Sequence, residues 1–355
     1  SIGKYKRILD MSYNGRIYYN ANHWGAHTGR ITGSGFQMLN LPRAKEKKPD
    51  EVLDTFYTGE IFAHNPVMSA RALVRHMIHA EPGKIFTVAD YSSIEYILLC
   101  WVAGEEWAVK SFADKVDQYK ELAMGMYHIA MDAVTPEQRQ MGKVGILGCG
   151  YGMAAKRCQA YAKTFGVQLT LKEAQFVVDG FRQKYPKVKA LWYATAEAAI
   201  MSVRFPGREF SCKGSTFKVV KDHRGRSWLR LTLPSGRNLF YNEPCIEMGK
   251  YGEQVCVWGV DQKTRVYCKR EMTPGKWVEN IIQALGRDLL YHGKRKLRDA
   301  GYFLIGSIYD EALSENDENF GSLEEFERLL CELPEWAKGL PLRAEGYQAY
   351  RYKKG

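Results

Sequence analysis

The chain has 355 residues, 45% of them hydrophobic and 26% charged, which is ordinary for a globular protein with a substantial core. A net charge of +11 favours a polyanionic partner such as nucleic acid, although a ribosomal or membrane-surface protein would show a similar balance. No apolar run approaches the roughly 18 residues of a membrane span, and the N-terminus lacks the apolar segment of a secretory signal. The eight cysteines form no CxxC pair, which argues against zinc-finger and redox-dithiol proteins and favours free thiols in a reducing cytoplasm.

The N-terminal part of the chain changes from a turn-rich to a regular pattern. Gly, Asn and Pro recur through residues 1–60, and a short helix is predicted over 70–80. The apolar run KIFTVA at 84–89 predicts a buried strand that ends at Asp90. Apolar residues spaced i, i+3, i+4 and i+7 then predict a helix that stops near Gly104.

The remainder of the chain alternates between helical and β patterns. Residues 105–201 are mostly helical in pattern, with a proline at a helix start at position 136. Residues 204–275 alternate turn signals with short apolar-polar runs, which predicts β-hairpins. A long helix is predicted from about 276 to 300, followed by the hairpin YFLIGSIYDEALSE and an acidic helix near 322–332.

Two aspartates stand at the ends of predicted strands, Asp90 in VADYSSIE and Asp310 in IGSIYDEAL. Aspartate is a poor strand former but a good metal ligand at a sheet edge. If the two strands are neighbours, the carboxylates can bind two Mg²⁺ ions about 3.5–4 Å apart, which would lower the pKa of an attacking 3′-hydroxyl and stabilise a leaving pyrophosphate. The alternative for either aspartate alone is a turn or a helix cap.

Two glutamates close to these aspartates also have structural alternatives. Ser92-x-x-Glu95 has the form of a capping box, in which Glu95 closes the first turn of a helix. A position beside a nucleotide sugar, where the acid would exclude a ribose 2′-hydroxyl, is compatible with that role. Glu311 is either a second acidic group near the metal ions or a solvated turn residue.

A basic helix, predicted over RQMGKVGILGCGYG at 139–152, lies between the two aspartates in sequence. Arg139, Lys143, Leu147 and Tyr151 are spaced by four residues and would lie within a stripe of roughly 120°. Arg and Lys one turn apart suit a triphosphate, whereas a solvated basic face is the common alternative. Five glycines in the segment, each costing about 0.8–1 kcal/mol relative to alanine, predict close approach of substrate or DNA, or bending.

Four further polar residues are candidates for contact with nucleic acid. Arg30, Gln37 and Asn40 lie in the Gly-rich segment HTGRITGSGFQMLNLPR, and Gln283 lies on the predicted helix at 276–300. They could contact a duplex backbone or minor groove, or only satisfy polar groups of their own segment.

Taken together, these segments resemble the family A DNA polymerases, the DNA polymerase I group, and most closely their phage replicative members. DYSSIE resembles motif A of that family, RQMGKVGILGCGYG motif B and SIYDEAL motif C. HTGRITGSGFQMLNLPR is similar to the TGR…QNIP segment, and VENIIQALGRDLL to the helix whose glutamine reads the minor groove. The resemblance covers about residues 25–315.

The resemblance implies a role for each candidate residue. Catalysis and metal binding would fall to Asp90, Asp310, Glu311 and the backbone carbonyl of Tyr91. Nucleotide binding would fall to Glu95, Tyr119, Arg139, Lys143, Leu147 and Tyr151, and contact with primer-template DNA to Arg30, Gln37, Asn40, Gln283 and Tyr309. The cofactors would be two Mg²⁺ ions, with Mn²⁺ as a substitute, and the partners dNTPs and primer-template DNA; no membrane partner is expected.

Four positions depart from the family pattern. Leu147 stands where Phe or Tyr is usual, Tyr309 where His precedes the motif C aspartate, and Tyr119 where a triphosphate-contacting His is common. Glu279 stands where Asn is usual. None of these changes removes a metal ligand, so we expect activity with altered substrate discrimination.

The implied fold is α+β with the right-hand architecture of polymerases: a palm built on an antiparallel β-sheet, mostly helical fingers, and a largely absent thumb. The palm would comprise residues 1–104, including a thumb remnant, and 276–355, with the fingers at 105–203 and a β-hairpin insertion near the palm at 204–275. We expect a fragment of a longer phage replicative polymerase that lacks its N-terminal thumb and exonuclease portion and acts in the cytoplasm of a bacterial host.

Two other functions stay open at this point. A single-subunit RNA polymerase has the same order of Asp, basic helix and Asp, although Glu95 argues against it because a bulky acid should repel a 2′-hydroxyl. A non-catalytic DNA-binding fragment would use the basic surface alone, and its DNA binding would be sensitive to salt but indifferent to Mg²⁺.

Overall fold

Two antiparallel β-sheets, one in each of two units, organise the chain in a computed structural model that describes residues 2–35, 38–41, 49–60, 73–250, 252–261 and 264–353. The first unit comprises Ser1–Ser92, Arg287–Pro334 and Leu342–Gly355, and the second comprises Ser93–Gly286 and Glu335–Pro341. The fold class is α+β, as the sequence predicts. Within the described residues, no helix is long and apolar enough to cross a membrane, and all eight cysteines are free thiols.

The helices of the described residues are α1 (Ile2–Asp10), α2 (Pro49–Thr58), α3 (Ile94–Ala103), α4 (Glu106–Ala113), α5 (Gln118–Tyr127), α6 (Pro136–Cys149), α7 (Ala155–Ala162), α8 (Leu171–Lys184), α9 (Pro186–Arg204), α10 (Pro274–Asp299) and α11 (Leu323–Leu330). The strands are β1 (Ser12–Tyr13), β2 (Arg16–Ile17), β3 (Asn20–Asn22), β4 (Thr32–Ser34), β5 (Lys84–Tyr91), β6 (Glu209–Cys212), β7 (Ser215–Lys221), β8 (Ser227–Thr232), β9 (Asn238–Gly249), β10 (Gly252–Val260), β11 (Tyr267–Met272), β12 (Leu304–Ile308), β13 (Glu311–Asp317) and β14 (Ala344–Ala349). The hairpins predicted over 204–275, the long helix and the acidic helix are confirmed. Of the short helix predicted over 70–80, residues 73–76 are helical, and 70–72 lie outside the described residues.

The four-stranded sheet of the first unit has the order β12-β13-β5-β14 and is antiparallel throughout. Strand β5 pairs with β13 on one side and β14 on the other, and its residues 86–89 are all buried, so its side chains pack on both faces of the sheet. Phe86 and Val88 on one face join Ile308 and Leu313 in the buried core of this unit, to which Tyr352 also belongs. The pairing of these strands in the sheet therefore places the end of β5 next to the start of β13.

The six-stranded sheet of the second unit is a meander in which β6 to β11 pair in sequence order. Its inner face consists of alternate apolar residues, among them Phe217, Leu229 and Tyr241, all buried. The ring of Trp277, on α10, lies 5.5 Å from that of Phe217 and 4.8 Å from that of Tyr241. The inner face is thus part of the core of this unit.

The sequence predicts the helix starts unequally well. Thr135 and Gln138 form a capping box at the start of α6, with Pro136 in the first turn. The capping box read from Ser92 and Glu95 is wrong: Ser93 precedes α3 in a left-handed conformation, and no side chain caps that helix. The Ser93 hydroxyl accepts a hydrogen bond from Gln118 at 2.8 Å instead.

Candidate active site

The ends of β5 and β13 bring the two candidate metal-binding aspartates to the same end of the first unit's sheet. Asp90 pairs in register with Glu311, the residue that follows Asp310. The amide of Tyr91 donates to the carbonyl of Asp310 at 3.3 Å. Asp310 lies in the two-residue turn between β12 and β13. The condition for a shared metal site, that the two strands are neighbours, is therefore met.

Glu311 is a buried carboxylate with only 3% of its surface exposed, so the alternative of a solvated turn residue is wrong. The Tyr352 hydroxyl donates a hydrogen bond of 2.7 Å to its Oε1 atom. Arg75 Nη1 in turn donates to the Tyr352 oxygen at 3.1 Å. Burial, together with the charge of Glu311, raises the pKa of Tyr352, so its hydroxyl keeps the proton that it donates. A buried chain of polar groups thus fixes the acidic neighbour of Asp310.

Replacing Tyr352 with phenylalanine is expected to lower the free energy of unfolding by about 1.5–3 kcal/mol, because a buried carboxylate loses a hydrogen bond. Denaturant titration of the variant against wild type measures this change. Tyr350→Phe is the matched control, since Tyr350 is exposed in the same segment and its variant should stay within about 0.5 kcal/mol of wild type. Equal losses in the two variants would contradict the structural role of the Tyr352 hydroxyl.

Tyr91 uses its side chain for packing. Its buried hydroxyl donates to the carbonyl of Leu330 at 2.7 Å, and the carbonyl of Leu289 lies 3.3 Å away. Side chains of successive strand residues point to opposite faces, so the Tyr91 ring lies on the face opposite to that of Asp90. Any role of Tyr91 as a metal ligand therefore falls to its backbone carbonyl.

The donor atoms at this end of the sheet suit a hard divalent cation. Asp90 and Asp310 supply carboxylate oxygens and are partly exposed, and Tyr91 supplies a carbonyl oxygen. Mg²⁺ and Mn²⁺ prefer such oxygen ligands. Among the residues that the structure describes, three or more His, Cys, Asp or Glu side chains are nowhere grouped so as to hold a metal ion. A site here would accordingly rest on two aspartates and backbone or substrate oxygens.

Two candidate DNA-contact residues lie together at this turn, of which Tyr309 is the first residue. Tyr309 is exposed and adopts a left-handed φ of 56°, which is uncommon for an aromatic residue. Its hydroxyl donates to Oδ1 of Asn40 at 3.2 Å. Arg30 is partly exposed, and its carbonyl accepts from the amide of Ala26 at 3.1 Å. Gln37 lies outside the described residues.

In the second unit, Arg139 and Lys143 on α6 lie close to Tyr119 on α5, and all three are candidate nucleotide-binding residues. The guanidinium of Arg139 lies 5.1 Å from the ring centre of Tyr119, and the ammonium of Lys143 lies 5.9 Å from it. The Arg139 Nε atom also donates to Asp117 at 2.7 Å. Leu147, one turn further on, is 42% exposed. The expected stripe on α6 is therefore present for Arg139, Lys143 and Leu147.

Tyr151 lies beyond the end of α6, because that helix ends at Cys149 and not at Gly152 as predicted. The Tyr151 hydroxyl donates to Oε2 of Glu95 at 3.0 Å. The last member of the predicted stripe is therefore held by a hydrogen bond to the candidate sugar-discriminating residue, and its position does not follow from helical spacing.

Residues 3–204 match the model of DNA polymerase family A, which is more than half of the chain. The chain belongs to that family. A DNA polymerase of Bacillus phage SP02 is 29% identical over 352 residues, covering 95% of this chain and 52% of the phage protein. A thermostable DNA polymerase I of Thermus filiformis is 24% identical over 337 residues, covering 93% of this chain and 32% of the relative. This family A chain thus spans about half the length of its phage relative.

A solved structure has the same fold as this family A chain. It is the POL domain of Pol1 from M. smegmatis in complex with DNA primer-template and dNTP, with a TM-score of 0.63 and 18% identity. The likeness covers 98% of this chain and 50% of that one.

The glycines of α6 have a structural explanation that the sequence did not suggest. A Cβ atom at Gly142 would overlap the carbonyl oxygen of Tyr119 and lie 3.0 Å from its carbonyl carbon. At Gly145 it would lie 2.6 Å from the Leu122 side chain, and at Gly148 2.9 Å from that of Tyr161. These three glycines allow α6 to pack closely on α5 and α7, which explains them without substrate approach or bending.

Sequence reasoning missed Asp117, which links α5 and α6, the two helices that carry Tyr119 and Arg139 among the candidate nucleotide-binding residues. Its Oδ1 atom caps α5 by accepting from the amides of Tyr119 at 2.9 Å and Lys120 at 3.2 Å, and its Oδ2 atom accepts from Arg139. Burial raises the pKa of Asp117, but these hydrogen bonds outweigh burial and the pKa is lowered. An aspartate before a helical pattern is a capping signal that would have found the first role only.

Gln283 lies on α10 with two charged neighbours. Its Nε2 atom donates to Glu279 Oε1 at 3.3 Å, and Lys276 Nζ donates to Glu279 Oε2 at 3.1 Å. Glu279, which departs from the family pattern, therefore accepts a hydrogen bond from the candidate minor-groove glutamine.

Proposed function

We propose that this chain carries out template-directed DNA synthesis, adding dNTPs to a primer 3′-hydroxyl with release of pyrophosphate. The observation that carries the proposal is the pairing of β5 with β13, in which Asp90 lies opposite Glu311 and the Tyr91 amide bonds to the Asp310 carbonyl. Membership of DNA polymerase family A and the phage relative support it.

The carboxylates of Asp90 and Asp310 would hold two Mg²⁺ ions, with Mn²⁺ as a substitute. Bound divalent cations supply charge stabilisation at the attacking and leaving oxygens of phosphoryl transfer. Glu311 contributes negative charge next to Asp310 and is kept in place by Tyr352. In this proposal the two aspartates bind the ions. Glu311 binds neither ion but adds to the negative electrostatic potential beside Asp310.

Arg139 and Lys143 would hold the triphosphate. The ion pair of Arg139 with Asp117 is about one-third exposed, at 38% and 32% for the two side chains, so water screens it and its contribution is small. A triphosphate carries more charge than one carboxylate and offers several acceptors to the guanidinium. We therefore expect the nucleotide to compete successfully for Arg139 and to leave Asp117 on the helix amides that it caps.

Primer-template contact is proposed for Arg30, Gln37, Asn40, Gln283 and Tyr309. We propose that residues 1–104 and 276–355 form the palm, 105–203 the fingers and 204–275 an insertion. A thumb and exonuclease portion outside this sequence would complete a replicative polymerase of a phage, acting in the cytoplasm of its host. The 52% share of the phage relative that is matched supports such a portion.

Primer extension on a primed DNA template tests the proposed function. With Mg²⁺ and dNTPs, we expect the primer to grow in the order that the template encodes, with no growth in EDTA or without template. DNA binding is measured in parallel, with and without Mg²⁺. Binding that is indifferent to Mg²⁺, with no incorporation, would support the binding-only alternative, and preferential use of ribonucleotides would support the RNA polymerase alternative.

Replacing Glu95 with alanine is expected to raise ribonucleotide incorporation relative to deoxyribonucleotide by roughly 10- to 200-fold, the range typical of removing one discriminating interaction. Removal of the carboxylate leaves space for a 2′-hydroxyl. The ratio of kcat/KM for matched rNTP and dNTP measures the effect. Tyr151→Phe, which removes only one hydrogen bond to Glu95, should shift the ratio in the same direction but less. An unchanged ratio in Glu95→Ala would disprove the sugar-discriminating role.

A further inference from the structure

The outer face of the six-stranded sheet in the second unit has no part in the function proposed above. Side chains alternate between faces along each strand, so the residues between the buried ones point outward. Lys218, Arg230 and Phe240 form one row across β7, β8 and β9, in direct register. All three are partly or fully exposed, whereas their inner-face neighbours Phe217 and Leu229 are buried.

A second outer row is rich in aromatic rings. Trp228 pairs with Asn242, which pairs with Trp258, which pairs with Lys269. The ring of Tyr267 stacks on that of Trp258, with centres 5.8 Å apart and planes 20° apart. Phe240 in the first row is 46% exposed and Tyr267 54%. Large aromatic rings are therefore accessible to solvent on this face of the sheet, although such side chains are more often buried.

The segment that forms this sheet carries much of the positive charge of the chain. Residues 204–272 contain 14 Lys and Arg against seven Asp and Glu. On the outer face, Lys218 and Arg230 share the single carboxylate of Glu209, at 3.4 and 3.3 Å. Exposed ion pairs of this kind contribute little and exchange readily for another anion. The outer face thus combines exchangeable cations with accessible rings.

We propose that this outer face binds single-stranded DNA, such as an unpaired template strand. Aromatic side chains bind the flat faces of unpaired bases by stacking, while Lys and Arg follow the phosphates. A duplex hides its base faces, so it would use the cations but not the rings. An acidic protein segment would likewise be indifferent to the stacking surface. The rows of Phe240 and Trp258 therefore favour a single strand over either of these.

A direct measurement of DNA binding tests this proposal. It needs no catalysis, so its result does not depend on whether the proposed polymerase activity is correct. A fluorescent thymidine oligonucleotide of about 16 nucleotides, the upper site size of one single-strand-binding fold, is titrated in EDTA and read by anisotropy. Phe240→Leu and Trp258→Leu remove a stacking ring but keep apolar volume. Each should weaken binding roughly 5- to 150-fold, the range for loss of one stacked base. Tyr193→Leu, at an exposed tyrosine on α9, is the control and should bind like wild type.

The charge contribution is measured separately. The double variant Lys218→Ala/Arg230→Ala should lower the slope of log Kd against log salt concentration by about 0.7 for each single-strand phosphate that the protein no longer neutralises. Extension of a primer-template with a one-nucleotide overhang should stay at the wild-type level in all these variants, so loss of chemistry and loss of strand binding are distinguished. Thermal unfolding by circular dichroism confirms that each variant is folded.

Two results would overturn the proposal. Folded Phe240→Leu and Trp258→Leu variants that bind the oligonucleotide as tightly as wild type would show that the rings do not contact bases. An effect limited to the Lys218→Ala/Arg230→Ala variant, with equal affinity for duplex, would identify a general polyanion surface that suits a duplex or an acidic protein.

Discussion

Replacing Asp310 with asparagine is expected to lower the rate of nucleotide incorporation by about 10³-fold or more, because loss of a metal-binding charge forfeits several kcal/mol of transition-state stabilisation. The amide keeps the shape of the side chain, and Asp310 is only partly buried in its turn. The fold and the affinity for DNA should therefore persist. Single-turnover primer extension with saturating dNTP and Mg²⁺ measures the rate directly.

The control for Asp310→Asn is Asp317→Asn, which removes a carboxylate at the exposed far end of the same strand, β13. It should extend primers at the wild-type rate. Partial recovery of Asp310→Asn by Mn²⁺, which tolerates nitrogen and amide ligands better than Mg²⁺, would agree with a ligand role. An Asp310→Asn variant that keeps more than about one-tenth of the wild-type rate would contradict the two-metal proposal, since removal of one ligand charge should cost more than that.

Replacing Gly142 with alanine is expected to lower the free energy of unfolding by about 3 kcal/mol or more, the upper end of overpacking costs. The new methyl group would overlap the backbone carbonyl oxygen of Tyr119, and backbone cannot move aside as a flexible side chain can. The gain in helix propensity, about 1 kcal/mol for Gly to Ala, does not offset this. Because Arg139 and Lys143 both lie over the Tyr119 ring, the KM for dNTP should also rise.

Gly125→Ala is the matched control, since Gly125 lies in α5, the helix on which Gly142 packs. There a Cβ would meet only the flexible Lys184 side chain, at 3.3 Å, so the change should be neutral or slightly stabilising. Denaturant titration monitored by circular dichroism compares both variants with wild type. Similar stabilities for Gly142→Ala and Gly125→Ala would show that α5 and α6 pack less closely than the structure indicates.

The sequence alone determined the elements and the order of the candidate motifs. The apolar run KIFTVA predicts β5, and Pro136 predicts the start of α6. These signals are local, because an apolar strand pattern and a proline in the first helical turn depend on neighbours within about four residues. The capping box predicted from Ser92 and Glu95 failed: Ser93 precedes α3 instead, and its hydroxyl accepts a hydrogen bond from Gln118 and caps no helix.

Only the tertiary structure decided which of these residues meet. Glu311 and Tyr352 are 41 residues apart, and Asp117 and Arg139 are 22 apart, yet each pair shares a hydrogen bond. The glycines of α6 look like a cost in a lone helix and become a requirement once α5 and α7 lie against it. The periodicity of apolar residues in a sequence predicts which face of an element is buried. The element that packs against that face depends on how all the elements pack together, so only the tertiary structure determines it.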